Sequence, residues 1–397
     1  MRIGLDGRYI QDQYHGIGRY IYEVALHLAE AYPNQEFVLF YNPSYRNSRF
    51  DLDKLAQFSN VTLVKTFLQL FWPQQQFVWP WLLRKERIDV FHTPFFDAPY
   101  LATCPVVVTI HDLIFDRYPE YMPQSYYRLY YRMLTSLSVR KAAQIITVSE
   151  ASKRDIVEIY GATPANISVT PEAVASEFKP VSAEEAERIR IRYNLPRNFV
   201  LTVGTMRPQK NIPTLVKAFA RIASETQAAL VLAGKIDSRW PDEVTPLIEE
   251  LNLQERVIRP GHIAEADLPA LYMLADCFVF PSIIEGFGLP ALEAMACKTA
   301  VIASYTASLP EVVGDAGLLI NPYNVQALAD ALLLILENPS YRHKLEKLSL
   351  RRAQKFDWFR TAHLTMHAYH AALRPTASRR QSDLKKMTPQ KPQAHKV

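Results

Sequence analysis

Two glutamates eight residues apart, Glu285 and Glu293, bracket a glycine-rich turn in a segment that reads FVFPSIIEGFGLPALEAMA over residues 278–296. Apolar strand-forming residues give way to Gly286 and Gly288, then to Pro290, a residue favoured at the first helical position. A strand, a tight loop and a helix start therefore follow one another. Such a loop turns bare N–H groups and the positive end of a helix toward an anion. The two glycines admit a close backbone approach that a Cβ would block. Glu293, one turn into the helix, can accept hydrogen bonds from vicinal hydroxyls such as those of a ribose. A simple capped helix start explains one glutamate, but not both glutamates with both glycines.

Two cations follow a strand-ending glycine in LTVGTMRPQKN, residues 201–211: Arg207 and Lys210. A diphosphate leaving group gains negative charge as its bond breaks, and a positioned Arg or Lys stabilises that charge. For Arg207 an exposed surface turn stands as the other reading. In VVVTIHDL, residues 106–113, a buried strand ends on His111 and Asp112. HGIGRY, residues 15–20, follows the first strand and opens a helix. Ile21 stands where a dinucleotide fingerprint would have its third glycine, so this segment alone specifies little.

Taken together, these motifs resemble those of retaining glycosyltransferases of family 4. The resemblance rests on Glu-x7-Glu with GFGLP between and EAMA after, and it covers residues 1–373. It implies an α/β chain of GT-B architecture, two Rossmann-like doubly wound domains facing a cleft. It also implies transfer of a sugar from a nucleotide diphosphate donor to a hydroxyl acceptor. By match, Glu285 lies against the donor sugar and Glu293 holds the ribose, while Gly286, Phe287, Gly288 and Leu289 meet the diphosphate. Lys210 matches the family lysine. The family arginine directly after the glycine is replaced by Thr205, and Arg207 stands two positions later. His111 matches a histidine that contacts the donor sugar near the reacting centre, so His111 and Glu285 are the catalytic candidates. Gly16 and Gly18 match a loop that closes over donor phosphates or acceptor. Side-chain cations and a helix dipole supply the charge, so neither a metal nor another cofactor is expected. The GIGRY, HDL and GT-x-x-P-x-K-N style suggests GDP-mannose. Rival activities are a nucleotide-sugar epimerase, a disaccharide-phosphate synthase or a non-catalytic sugar-nucleotide binder.

Elements that could position these residues alternate along the chain. Strand candidates are Ile3–Asp6, Phe37–Tyr41, Val61–Val64, Asp89–His92, Val106–Ile110 and Ile145–Val148, with helical patterns at Tyr20–Ala31 and Gln124–Ala143 between them. The scheme repeats at Phe199–Val203, Ala229–Ala233, Val257–Arg259, Cys277–Phe280, Ala300–Ala303 and Leu318–Ile320. Near-continuous apolar strands between helices indicate parallel sheets covered on both faces. The boundary falls near residues 172–182, before a helix at Ala183–Arg192. The expected division is an acceptor domain 1–175, a donor domain 176–356, a helix 357–373 packing back toward the first domain, and a basic disordered tail 374–397.

Composition narrows the setting. The net charge of +5 is a tail property: residues 374–397 carry seven basic residues against one acid, leaving −1 for the rest. Nucleic-acid binding by the folded part is not expected. Three scattered cysteines form neither a disulfide framework nor a zinc pattern, which suits a reducing cytoplasmic setting. No signal peptide or membrane-spanning run is read. Two stretches mix aromatic and basic residues, Phe67–Leu83 followed by Arg84, Lys85 and Arg87, and the tyrosine-rich 118–132. They suit core packing, or else a lipid-linked or polysaccharide acceptor and peripheral contact with an anionic membrane. Asp51 with Asp53, and the helically spaced His363, His367 and His370, are read as solvated surface rather than as metal ligands.

Overall fold

The computed structural model describes residues 1–122 and 125–374. The tail expectation, apart from Arg374, lies outside the described residues. Two parallel sheets form. In the first, β1 (Arg2–Asp6), β2 (Glu36–Tyr41), β3 (Val61–Lys65), β4 (Val90–Thr93), β5 (Val106–Thr109), β6 (Gln144–Thr147) and β7 (Ile167–Val169) take the order β3-β2-β1-β4-β5-β6-β7. In the second, β8 (Phe199–Val203), β9 (Ala229–Ala233), β10 (Val257–Gly261), β11 (Cys277–Phe280), β12 (Val301–Ser304) and β13 (Leu318–Ile320) take the order β10-β9-β8-β11-β12-β13. Both are doubly wound: the order reverses beside the first strand of each sheet, the crevice where such folds bind ligands.

Burial explains the sequence pattern. Residues of β4, β5, β9, β11 and β12 are buried along their whole length, so their side chains are mostly apolar on both faces. The helix His15–Ala31 begins at the glycine segment itself and packs Tyr20, Ile21, Val24 and Leu28 into the first core. The C-terminal helix Trp358–Leu373, capped by Asp357, returns to that same core through Trp358, Ala362, Met366 and Tyr369. All three cysteines are free thiols. No helix among the described residues is long and apolar enough to cross a membrane.

The halves also touch at the carboxyl ends of their sheets. Glu311, in the short helix Leu309–Val313, accepts bonds from the Glu150 and Ala151 amides at 2.8 and 2.7 Å. These amides open the helix Glu150–Tyr160 of the first half, where a carboxylate is favoured by the helix dipole.

Candidate functional site

The loop after β11 is anchored from several sides. The Ile283 amide donates to the Gln209 carbonyl at 2.8 Å, and Asn211 Nδ2 donates to the Pro281 and Pro322 carbonyls at 3.1 and 2.7 Å. Ser308 Oγ lies 2.9 Å from the Glu285 carbonyl and 2.8 Å from that of Phe287. Gly288 takes φ +109°, a left-handed conformation that L side chains rarely adopt, and forms the N-cap of helix Leu289–Ala296. This cap has no side chain to bond the first amides, so the helix start remains available to an anion. The Phe287 side chain is buried against Phe356, leaving only its backbone to face a ligand.

Lys210 and Glu285, 75 residues apart, are brought together at this loop. Lys210 Nζ donates to Glu285 Oε1 at 2.6 Å and sits 4.7 Å from the centre of the Phe280 ring. Both are largely shielded, with 20% and 13% of their side chains exposed. The pair gives a desolvated cation that phosphate oxygens can recruit, with a carboxylate that can accept from sugar hydroxyls.

Arg207 does not join them. Its Nε donates to Asp237 Oδ2 at 2.9 Å, and Arg239 bonds the same carboxylate. Chiefly through the Arg239 side chain, that carboxyl is held well below the usual carboxylate range. Arg207 lines a separate pocket of about 320 Å³ with Trp240, Tyr121 and Glu120. The turn Pro208–Lys210 is a single 3-10 turn that sends the two cations to different places.

His111 meets the loop from across the cleft. Its Nδ1 lies 3.1 Å from Glu172 Oε1 and its Nε2 lies 3.0 Å from the Pro94 carbonyl. Both ring nitrogens are engaged, so the imidazole is held in one orientation. Asp112 beside it is buried, which pushes its carboxyl above the usual range, and it accepts from the Ile114 amide at 3.1 Å. A Cβ on Gly286 would lie 2.7 Å from the His111 carbonyl oxygen and 2.9 Å from Asp112 Cβ. The glycine therefore permits the two halves to close on each other, and Ser152 Oγ, 2.9 Å from the His111 carbonyl, braces the contact.

Glu293 lies one turn further along the helix. Tyr272 Oη donates to its Oε2 at 2.9 Å, and Arg19 Nη1 stands 4.0 Å from its Oε1. Burial pushes the Glu293 carboxyl above the usual range. Arg19 also pairs with Glu265, which Arg49 bonds at 3.0 Å, so two first-half arginines reach a second-half acid. Arg19 and Glu265 line a groove of about 820 Å³ between the halves, with His262, Glu177 and Trp358. That volume is within the usual range for small-molecule sites. Of the two glycines near Arg19, Gly16 is exposed, with open space where a Cβ would point. Gly18 is buried, and a Cβ there would lie 2.6 Å from the Tyr9 carbonyl, so its bareness serves packing of the first helix.

Lys210, Glu285, the 286–289 loop and His111 thus converge, with Glu293 behind the loop and Arg207 outside. Glu172 and Glu311 escape sequence reading. Arg19 adjoins a recognisable glycine segment, whereas Glu172 and Glu311 carry no motif at all. Elsewhere, Asp51 caps a short helix by accepting from the Asp53 and Lys54 amides, and His363, His367 and His370 form an exposed stripe. No group of three or more potential metal ligands is found among the described residues.

Comparison with known proteins finds relatives along most of the chain. Residues 14–178 match the family described as Glycosyltransferase Family 4, and residues 183–351 match Glycosyl transferases group 1. The chain is 34% identical over 376 residues to O-antigen chain mannosyltransferase B of Escherichia coli, covering 89% of this chain and 95% of that protein. It is 31% identical over 279 residues to the serotype-specific mannosyltransferase WbdA of the same species, covering 69% of this chain and 34% of that protein. Among solved structures, sucrose-phosphate synthase from Thermosynechococcus elongatus aligns with a TM-score of 0.71 at 24% identity, over 93% of this chain and 98% of that one. Anabaena Alr3699/HepE in complex with UDP and glucose aligns with a TM-score of 0.70 at 22% identity, over 92% and 98%. These two likenesses concern the fold.

Proposed function

The chain belongs to glycosyltransferase family 4 and has the GT-B fold, and from that premise we propose that it transfers mannose from GDP-mannose with retention of anomeric configuration. The acceptor is a hydroxyl of a saccharide or lipid-linked saccharide in surface polysaccharide synthesis at the cytoplasmic face of a membrane. The mannosyltransferase names of two relatives support the donor sugar. The observation that carries the reading is the Lys210–Glu285 pair beside the uncapped helix start, with the His111 carbonyl against Gly286 of the same loop.

In this reading the diphosphate lies on the amides of the 286–289 loop and recruits Lys210. As the bond from the anomeric carbon to the β-phosphate oxygen breaks, the electron pair stays on phosphate, and Lys210 with the helix dipole stabilises it. No metal is then required. The acceptor oxygen bonds the anomeric carbon on the face the diphosphate leaves, and its proton passes to a phosphate oxygen. Glu285, tied to Lys210 at 2.6 Å, orients the sugar hydroxyls. Glu293 accepts from the ribose. The closed contact between Gly286 and His111 shields the reacting centre from water, so donor entry requires the halves to part.

Peripheral membrane contact forms part of the proposal. Phe67, Trp72, Phe77 and Trp81 are exposed, and the Lys85 ammonium lies 5.2 Å from the Trp81 ring. Aromatic residues beside cations suit an anionic interface. The test is mass spectrometry of products across a panel of nucleotide sugars, with endogenous lipid extract and soluble mannosides as acceptors. A hexose added from GDP-mannose, and lost in Glu285→Gln, supports the reading. Nucleotide binding without turnover on any donor overturns it in favour of a silent binding module.

A further inference from the structure

A line of polar side chains runs through the core of the first half, where apolar residues would pack at lower cost. His92, inside β4, is fully buried, with Nδ1 2.8 Å from Tyr369 Oη and Nε2 2.7 Å from Thr109 Oγ1. Thr109, at the end of β5, lies 3.1 Å from Tyr20 Oη through the same Oγ1. All four residues are at most 1% exposed. Burial drives the His92 imidazole down to about 3, so it stays neutral, with one nitrogen donating and the other accepting. Every member therefore has a partner, and the line is a fixed hydrogen-bond chain.

Its far end is the candidate catalytic histidine. The Tyr20 ring stands at 86° to the His111 ring, with centroids 4.8 Å apart. The near end is the C-terminal helix, which carries Tyr369 and a second anchor: Thr361 Oγ1 donates to the Pro171 carbonyl at 2.6 Å. Pro171 precedes Glu172, the partner of His111 Nδ1. One helix thus supports His111 by two routes, through the ring that packs on its face or edge and through the segment that holds its nitrogen.

We propose that Tyr369, His92, Thr109 and Tyr20 are positioning residues for His111, and that the C-terminal helix orients the catalytic imidazole through them. The inference rests on the glycosyl transfer proposed above, with His111 contacting the donor sugar as the family resemblance implies. None of the four residues touches substrate in this account.

The test compares Tyr369→Phe and Thr109→Val, which each delete one hydroxyl, with Thr109→Ser, which keeps it. Tyr20→Phe cuts the chain at its other end. Full-length protein labelled with ¹⁵N-histidine is observed by NMR, with the His111 ring signals identified by their loss in His111→Gln. In parallel, kcat and KM for GDP-mannose are measured. The expected result is that Tyr369→Phe and Thr109→Val shift the His111 ring signals and lower kcat about fivefold, the equivalent of one net hydrogen bond. KM for the donor stays within about twofold, and Thr109→Ser restores both readouts. Unmoved His111 signals in Tyr369→Phe and Thr109→Val overturn the proposal, as does a moved signal with undiminished kcat. If the wild-type protein is inactive on every donor, the proposed function fails, while the ring signals alone still decide whether the chain positions His111.

Discussion

Replacing Gly286 with alanine puts a methyl group where the two halves of the molecule meet. Its Cβ would lie 2.7 Å from the His111 carbonyl oxygen and 2.9 Å from Asp112 Cβ. Ordinary contact begins at 3.4 Å, so the halves must separate by about 0.7 Å to admit it. Gly286 is not among the positive-φ glycines, so alanine brings no backbone strain of its own. The effect therefore falls on closure. A misplacement of about 1 Å costs on the order of 10²-fold in rate, which puts the expected loss in kcat at roughly 30- to 100-fold. The assay pairs kcat for mannosyl transfer with calorimetric GDP affinity and thermal unfolding. GDP affinity should change by no more than about threefold, because the loop amides and Glu293 remain, and Tm by no more than about 2 °C. A kcat within twofold of wild type would mean that this contact does not form during transfer. A collapse in Tm would refute the claim that the methyl is felt only between the halves.

Lys210→Ala should lower kcat about 10²- to 10³-fold, the loss seen when one donor to a developing oxyanion is removed, as steady-state kinetics would report. Arg207→Ala should change kcat/KM by less than about threefold, because that side chain is committed to Asp237; a loss matching that of Lys210 would contradict its placement. Glu293 gives a pH prediction. Burial raises its carboxyl in the folded protein above the ordinary value of 4.5, so the stability favouring the protonated form is full below that value and lost as pH rises through the raised one. Thermal unfolding of Glu293→Gln should lack that decline. GDP binding runs the other way: it should weaken in wild type as pH falls through the raised value, and calorimetry on Glu293→Gln should show weaker binding without that slope.

The sheets were legible because parallel strands buried on both faces read as continuous apolar runs, as in Ala229–Ala233 and Cys277–Phe280. The strand Ile167–Val169 was not, since three residues with a central serine carry no pattern. The 286–289 loop could be read because its chemistry is local: strand, glycines and helix start are contiguous. Pairings across the chain could not. Nothing in the spacing joins Lys210 to Glu285, or His111 to Glu172, because the fold makes those contacts. Arg207 and Lys210 were both read as diphosphate cations, Arg207 with an exposed turn as its other reading, and the geometry of that turn separates them. Gly18 read as bare backbone for a ligand, whereas its close neighbour is the Tyr9 carbonyl. Arg19, Glu265 and Arg49 form their bridge only because two sheets far apart in sequence face each other.

Retaining mannosyl transfer without a metal is tested by NMR of the product formed from GDP-α-mannose and a mannoside acceptor in the presence of EDTA. Retaining, metal-independent transfer gives an α-linked mannosyl product whose formation depends on Lys210 and is unaffected by the chelator. A β-linked product, or transfer that stops when the chelator is added, would contradict it.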